Sequence, residues 1–145
     1  MSYDILFDPP GDTEPRPMDQ QAWEQIVTGA RAIFGDDIAT YAADGRYELD
    51  DEPTAIQLSC HDDLPSISVP YWFTGAKAGR NLAQMYELGR LVETATGLIG
   101  HDPQLGLSLA EAASEINRGV AIFDRTAGTL ARIQEGYRNT GHADR

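Results

Sequence analysis

His61-Asp62-Asp63 and His101-Asp102 are two places where this chain sets an imidazole beside carboxylates, the donor types that suit zinc, manganese or iron. For His61, Asp63, His101 and Asp102 to hold one ion, the fold would have to bring two strand ends together. Pro65 and Pro103 follow these pairs into turns, and Asp is a favoured turn residue in its own right, so solvated turns are the plainer reading. No cofactor is implied. Carboxylates are plentiful enough for acid/base catalysis, yet only Glu87 and Glu93 border an apolar stripe, and solvated helix surface explains both. Gly75-Ala-Lys77-Ala-Gly79-Arg80 puts positive charge near a helix start without the spacing of a phosphate-binding loop, which leaves it a minor candidate for holding an anion. No serine or cysteine has the context of an activated nucleophile. An enzyme, metal-dependent or acid/base, working through His61 and His101 is therefore the lesser expectation.

Charge points elsewhere. Residues 1–63 hold 15 Asp/Glu against 3 Lys/Arg, whereas residues 64–145 hold 8 of each. The whole net charge of −12 thus lies in the N-terminal part. Such a surface repels phosphate backbones, which argues against nucleic acid, and attracts a basic protein or a cationic ligand. The run Glu48 to Glu52 sets four acids around Leu49; like charges this close must be solvated or paired with something basic. No apolar run approaches the ~18 residues of a membrane span. Met1-Ser-Tyr-Asp lacks a basic segment and an apolar signal core, so a cytoplasmic location is expected. The single cysteine, Cys60, excludes an internal disulfide framework and a multi-cysteine zinc site, and reads as a buried structural thiol.

These residues need elements to position them. From Ile56 to Tyr71 apolar and polar residues alternate on both sides of an Asp/Pro break, the mark of a half-buried hairpin. Ile56, Leu58, Cys60, Ile67, Val69 and Tyr71 form its inner face, while Ser66, Ser68, Pro70 and Trp72 point outward. Trp72 on the polar side is either roofed by a loop or free to meet a partner. Tyr3 to Phe7 predicts a first strand, stopped by Asp8-Pro9-Pro10-Gly11. Asp19 caps a helix whose stripe is Trp23, Ile26, Val27, Ala30, Ile33 and Phe34, closed by Gly35. Ile38 to Ala42 and Tyr47 to Leu49 flank the tight turn Asp44-Gly45. Residues 76–96 predict a second helix ended by Gly97, and Leu98 to His101 a last strand. The fold class expected is α+β: a mainly antiparallel sheet with two helices on one face, plus a long C-terminal helix.

That last helix opens on a capping box, Ser108 with Glu111. Leu109, Ile116, Phe123, Leu130 and Tyr137 recur every seven residues, and Ala113, Val120, Ala127 and Gln134 follow each by four. Gly119 and Gly128 interrupt it, either to allow close backbone approach or to mark a break into two helices. The expected organisation is a core over 1–104, a helical extension over 105–137 that folds back or dimerises, and a flexible tail over 138–145.

The opening Ser2-Tyr-Asp-Ile-Leu-Phe7 and the later Thr96-Gly-Leu-Ile-Gly-His-Asp-Pro-Gln104 resemble the two ends of small, uncharacterised actinobacterial α+β proteins. The resemblance implies the fold and no activity. Together these observations predict a small acidic, non-enzymatic protein-binding protein. Asp50, Asp51, Glu52, Asp62 and Asp63 would engage a basic partner, with Trp72 as aromatic anchor. An immunity-type inhibitor of a basic toxin enzyme is its most concrete form, and a structural homodimer through residues 108–137 is a further alternative.

Overall fold

Strand alternation builds the sheet. The structure, a computed structural model, describes residues 1–14, 16–61 and 64–141, with side chains to residue 136. In β1 (Ser2–Asp8) Tyr3, Ile5 and Phe7 are buried while Ser2, Leu6 and Asp8 are exposed. The same period of two runs through β4 (Ile56–His61) and β5 (Ser66–Pro70): Ile56, Leu58, Cys60, Ile67 and Val69 point inward and Ser66 and Ser68 outward. With β2 (Ala39–Ala43), β3 (Arg46–Asp51), β6 (Ile99–Asp102) and β7 (Leu107–Ser108) they form one sheet in the order β2-β3-β4-β5-β1-β6-β7. Every pairing is antiparallel. Asp44 and Gly45, at φ 53° and 75°, make the two-residue turn that pairs Ala43 with Arg46.

α1 (Gln20–Phe34) begins where the Asp19 carboxylate accepts from the Ala22 N–H at 2.7 Å, and it buries Trp23, Ile26, Val27 and Ala30. α2 (Gly75–Thr96) ends at Gly97, whose φ of 76° is the left-handed conformation that glycine adopts without strain. Both helices lay their apolar stripes on the face carrying Tyr3, Ile5, Leu58, Ile67 and Val69, in one continuous core. The α+β architecture is as expected, with a long C-terminal helix. Among the described residues, no helix is long and apolar enough to cross a membrane.

The C-terminal segment departs from one continuous rod. Ser108 Oγ accepts from Glu111 N and Glu111 Oε1 from Ser108 N, each at 3.2 Å, so the capping box is present. It starts only a short α3 (Leu109–Ala113), after which the chain steps through Ser114 and Glu115 into α4 (Ile116–Gly141). The Ser114 Oγ donates to the Glu111 carbonyl at 2.8 Å, and tight turns from Glu115 N to Ala112 O and from Arg118 N to Glu115 O reset the axis. The break therefore lies at neither Gly119 nor Gly128. Leu109, Ala112 and Phe123 join the same core as the sheet. α4 also continues to Gly141, into the stretch expected to be a tail, while residues 142–145 lie outside those described.

Candidate functional site: the open sheet face

With both long helices on one side, the outward phase of the strands makes a second, open face. Its composition follows from register. Tyr41, Glu48, Ser59, Ser66, Leu6 and His101 stand opposite one another in successive strands, forming one row across the sheet. Two residues along, Ala39, Asp50, Gln57, Ser68 and Asp4 form the next row. Ser59, Ser66 and Ser68 line the middle of this face. Carboxylates stand on both sides of it, Glu48 and Asp50 towards β2, Asp4 towards β6. Gln104 fixes Asp4 in place by clamping its backbone, accepting from the Asp4 N–H at 2.8 Å and donating to its carbonyl at 2.7 Å. Trp72, in the turn beyond β5, is 74% exposed.

The two acids on β3 differ in electrostatics. Glu48 accepts from Arg46 at 3.0 Å and lies 3.2 Å from His61, and these bonds, Arg46 first, hold its carboxyl below the usual carboxylate range. Burial and the nearby Glu48 charge push the Asp50 carboxyl up, against the opposing hydrogen bond from Gln57. Asp50 is thus a carboxylate whose ionised form is undersolvated and faces another anion, the circumstance in which an arriving cation gains most.

The expected site residues fare unequally. Asp50 is half-buried on this face and Glu52 is exposed in the β3–β4 turn. Asp51 does not belong to the surface. It shares the inward phase of Leu49, is 6% exposed, and its Oδ2 accepts from Thr54 Oγ1 at 2.7 Å and from Thr54 N at 3.2 Å. It is a turn-fixing group, which corrects its assignment as a binding residue. Asp62 and Asp63 lie outside the described residues. His61 and His101 are not brought together: β5 and β1 intervene between their strands, so three strand spacings of ~4.8 Å separate them across the sheet. His101 Nδ1 lies 3.3 Å from the Asp8 carboxylate, and Asp102 points away from it into the core. Among the described residues, no three His, Cys, Asp or Glu side chains are grouped to hold a metal ion. Cys60 is buried, 1% exposed, on the inward phase of β4.

Two further arrangements emerge only in the folded chain. Asp102, fully buried, accepts from the Tyr3 phenol at 2.5 Å, the Tyr86 phenol at 2.6 Å, the Gln104 amide at 2.7 Å and the Leu105 N–H at 3.1 Å. This cluster ties β1, α2 and the loop after β6 together. Its signal was phase: Asp102 falls two residues after Gly100 and shares its inward side. The second is at the start of α2, where the Gly75 N–H donates to Asp124 Oδ1 at 2.9 Å. An acid from α4 thus meets the helix start that was a minor candidate for holding an anion. Glu93, expected to be simple helix surface, accepts from the Gly100 N–H at 2.9 Å and pairs with Arg90.

No family model, curated protein or solved structure matches this chain.

Proposed function

We propose that the protein is a small, acidic, non-enzymatic binding protein that captures a basic protein on its open sheet face, with an immunity-type inhibitor of a basic toxin enzyme as the most concrete form. The observation that carries this reading is the pairing of acids with an exposed aromatic beside an uncovered sheet face. Asp50 and Trp72 are two strand spacings and a few residues apart, on the order of 15 Å, well within one side of a standard interface of ~800 Å². The small serines between them allow close approach. The carboxylates around them would speed capture of a cation-rich surface, an effect that salt weakens.

The reading is tested by immobilising the chain and titrating the captured partner at low and high salt. Asp50→Lys and Trp72→Ala should each weaken binding by about tenfold or more, the range of interface hot spots. Asp51→Ala serves as the control. It should lower folding stability by about 1–3 kcal/mol through the unpaired Thr54 groups, and leave affinity unchanged. A partner that is not basic, binding indifferent to salt, or equal affinity for wild type and Asp50→Lys would refute the proposal.

A homodimer through α4 is a second reading, favoured by Leu130 and Ile133, apolar side chains 39% and 61% exposed on the outer half of that helix. Light scattering decides it. A dimer mass for the wild type that falls to monomer in Leu130→Ser/Ile133→Ser is the expected result; monomer in both removes the idea.

A further inference from the structure

In a chain of net charge −12, one notch is walled by cations. It is a cavity of about 410 Å³ between α2 and the β3–β4 turn, lined by Pro53, Thr54, Lys77, Arg80, Asn81, Ala83 and Gln84. Lys77, Arg80, Asn81 and Gln84 fall at i, i+3, i+4 and i+7, so one face of α2 presents these polar residues together. Lys77 and Arg80 are exposed. Lys77 Nζ stands 4.6 Å over the Phe73 ring, a contact that holds the ammonium without neutralising it. Asn81 is the informative member. It is 4% exposed, and its Nδ2 is buried with no hydrogen-bond partner among the described residues. Buried amide donors are almost always bonded, so an orphan in the wall of a cationic notch points to an acceptor from outside. Of the carboxylates near it, Asp51 Oδ2 is held by Thr54 and Asp124 Oδ1 by Gly75 N, while Glu52, next to Pro53, is exposed to solvent.

We infer that this notch binds a phosphate group carried on a small free solute. Arg80 offers a planar fork, Lys77 a mobile point charge and Asn81 Nδ2 a neutral donor after a small side-chain adjustment; a tetrahedral oxyanion has the acceptors to meet all three. The notch lies against α2, on the helix-bearing side of the sheet, so it does not depend on the acidic face or its partner.

The test is a titration of the isotope-labelled full chain with inorganic phosphate, followed by amide shifts, against sodium chloride at matched ionic strength. Saturable shifts confined to residues 53–54 and 77–84 are expected with phosphate and not with chloride. Arg80→Gln and Lys77→Gln change exposed side chains and should fold normally, and the Arg80 variant should lose about tenfold or more in affinity, as for a charge-assisted hydrogen bond. Asn81→Leu should also weaken binding while raising the melting temperature, because it removes the orphan donor. Shifts that never saturate, or equal affinity in Arg80→Gln, overturn the inference. Capture on vesicles bearing phosphatidic acid, without a saturable response to free phosphate, would overturn the assignment to a small solute.

Discussion

Asp102→Ala should cost the folded state about 2–5 kcal/mol in urea unfolding, a large loss for a substitution outside the apolar core. The carboxylate has no cation beside it in the structure's described hydrogen-bond network; it is held by four donors. Removing it takes an acceptor from two phenols, a side-chain amide and a backbone N–H. The phenols keep their 3.1 Å contact with each other and the amide its bond to the Asp4 carbonyl, so one phenol proton and the Leu105 N–H are left to carry the desolvation penalty of a buried orphan. Asp102→Asn keeps an acceptor oxygen and should cost less, about 1–3 kcal/mol. A loss of under 1 kcal/mol for the alanine variant would mean that water or repacking satisfies the four donors, and that the cluster contributes little.

The same cluster sets an alkaline limit. Burial first, and the hydrogen bond to Asp102 next, push both the Tyr3 and the Tyr86 phenol above the ordinary value of 10.0. For Tyr86 the bond with Tyr3 works in the opposite direction without reversing the shift. The neutral phenols therefore contribute their full stabilisation below the unfolded value. As pH rises past about 10 the unfolded chain releases these protons and the folded chain keeps them, so stability falls by about 1.4 kcal/mol per pH unit for each tyrosine. Tyr3→Phe and Tyr86→Phe should each flatten the slope of unfolding free energy between about pH 11 and 12 by about that amount. Parallel slopes in wild type and both variants would contradict the assignment.

How much of this was legible follows from what periodicity can report. Ile56 to Val69 could be placed because the sheet is covered on one side only, so every inward residue had to be apolar and every outward one could be polar. The same rule, applied to β3, would have put Asp51 inside with Leu49. It groups with Asp50 and Glu52 because a run of like charges reads as one surface feature, and charge alone carries no phase. Asp102 reads as a turn residue for a similar reason: a carboxylate beside histidine suggests ligation or solvent, and nothing local reveals two phenols arriving from residues 3 and 86. The open face could not be composed from sequence at all, since its rows depend on β1 lying between β5 and β6. His61 and His101 each end a strand pattern, but only strand order shows that two other strands keep them apart.

The C-terminal segment teaches the complementary lesson, and its two glycines give a prediction of opposite signs. The heptad stripe of Leu109, Ile116 and Phe123 crosses the break at Ser114 and Glu115 because both pieces lie against the same core; a stripe reports which face is covered, not whether the axis is continuous. At Gly119 a β-carbon would sit 2.7 Å from Leu82 Cδ1 and 3.1 Å from Tyr3 Oη, so close approach of α4 to α2 and β1 is what the missing side chain permits. At Gly128 nothing lies within 4 Å. Gly119→Ala gains about 1 kcal/mol of helix propensity but must displace a buried leucine and a phenol already bonded to Asp102, an overpacking cost of about 1–3 kcal/mol. Gly119→Val adds branching on the same side and should lose more, about 3 kcal/mol in net, with its alkaline slope altered through Tyr3. Gly128→Ala meets no obstacle and should stabilise by about 0.5–1 kcal/mol. Thermal unfolding of the three variants side by side is the measurement. Stabilisation by Gly119→Val would show that α4 does not pack where Leu82 and Tyr3 place it, whereas loss at Gly128→Ala would show that the outer half of α4 is not helical in the free chain.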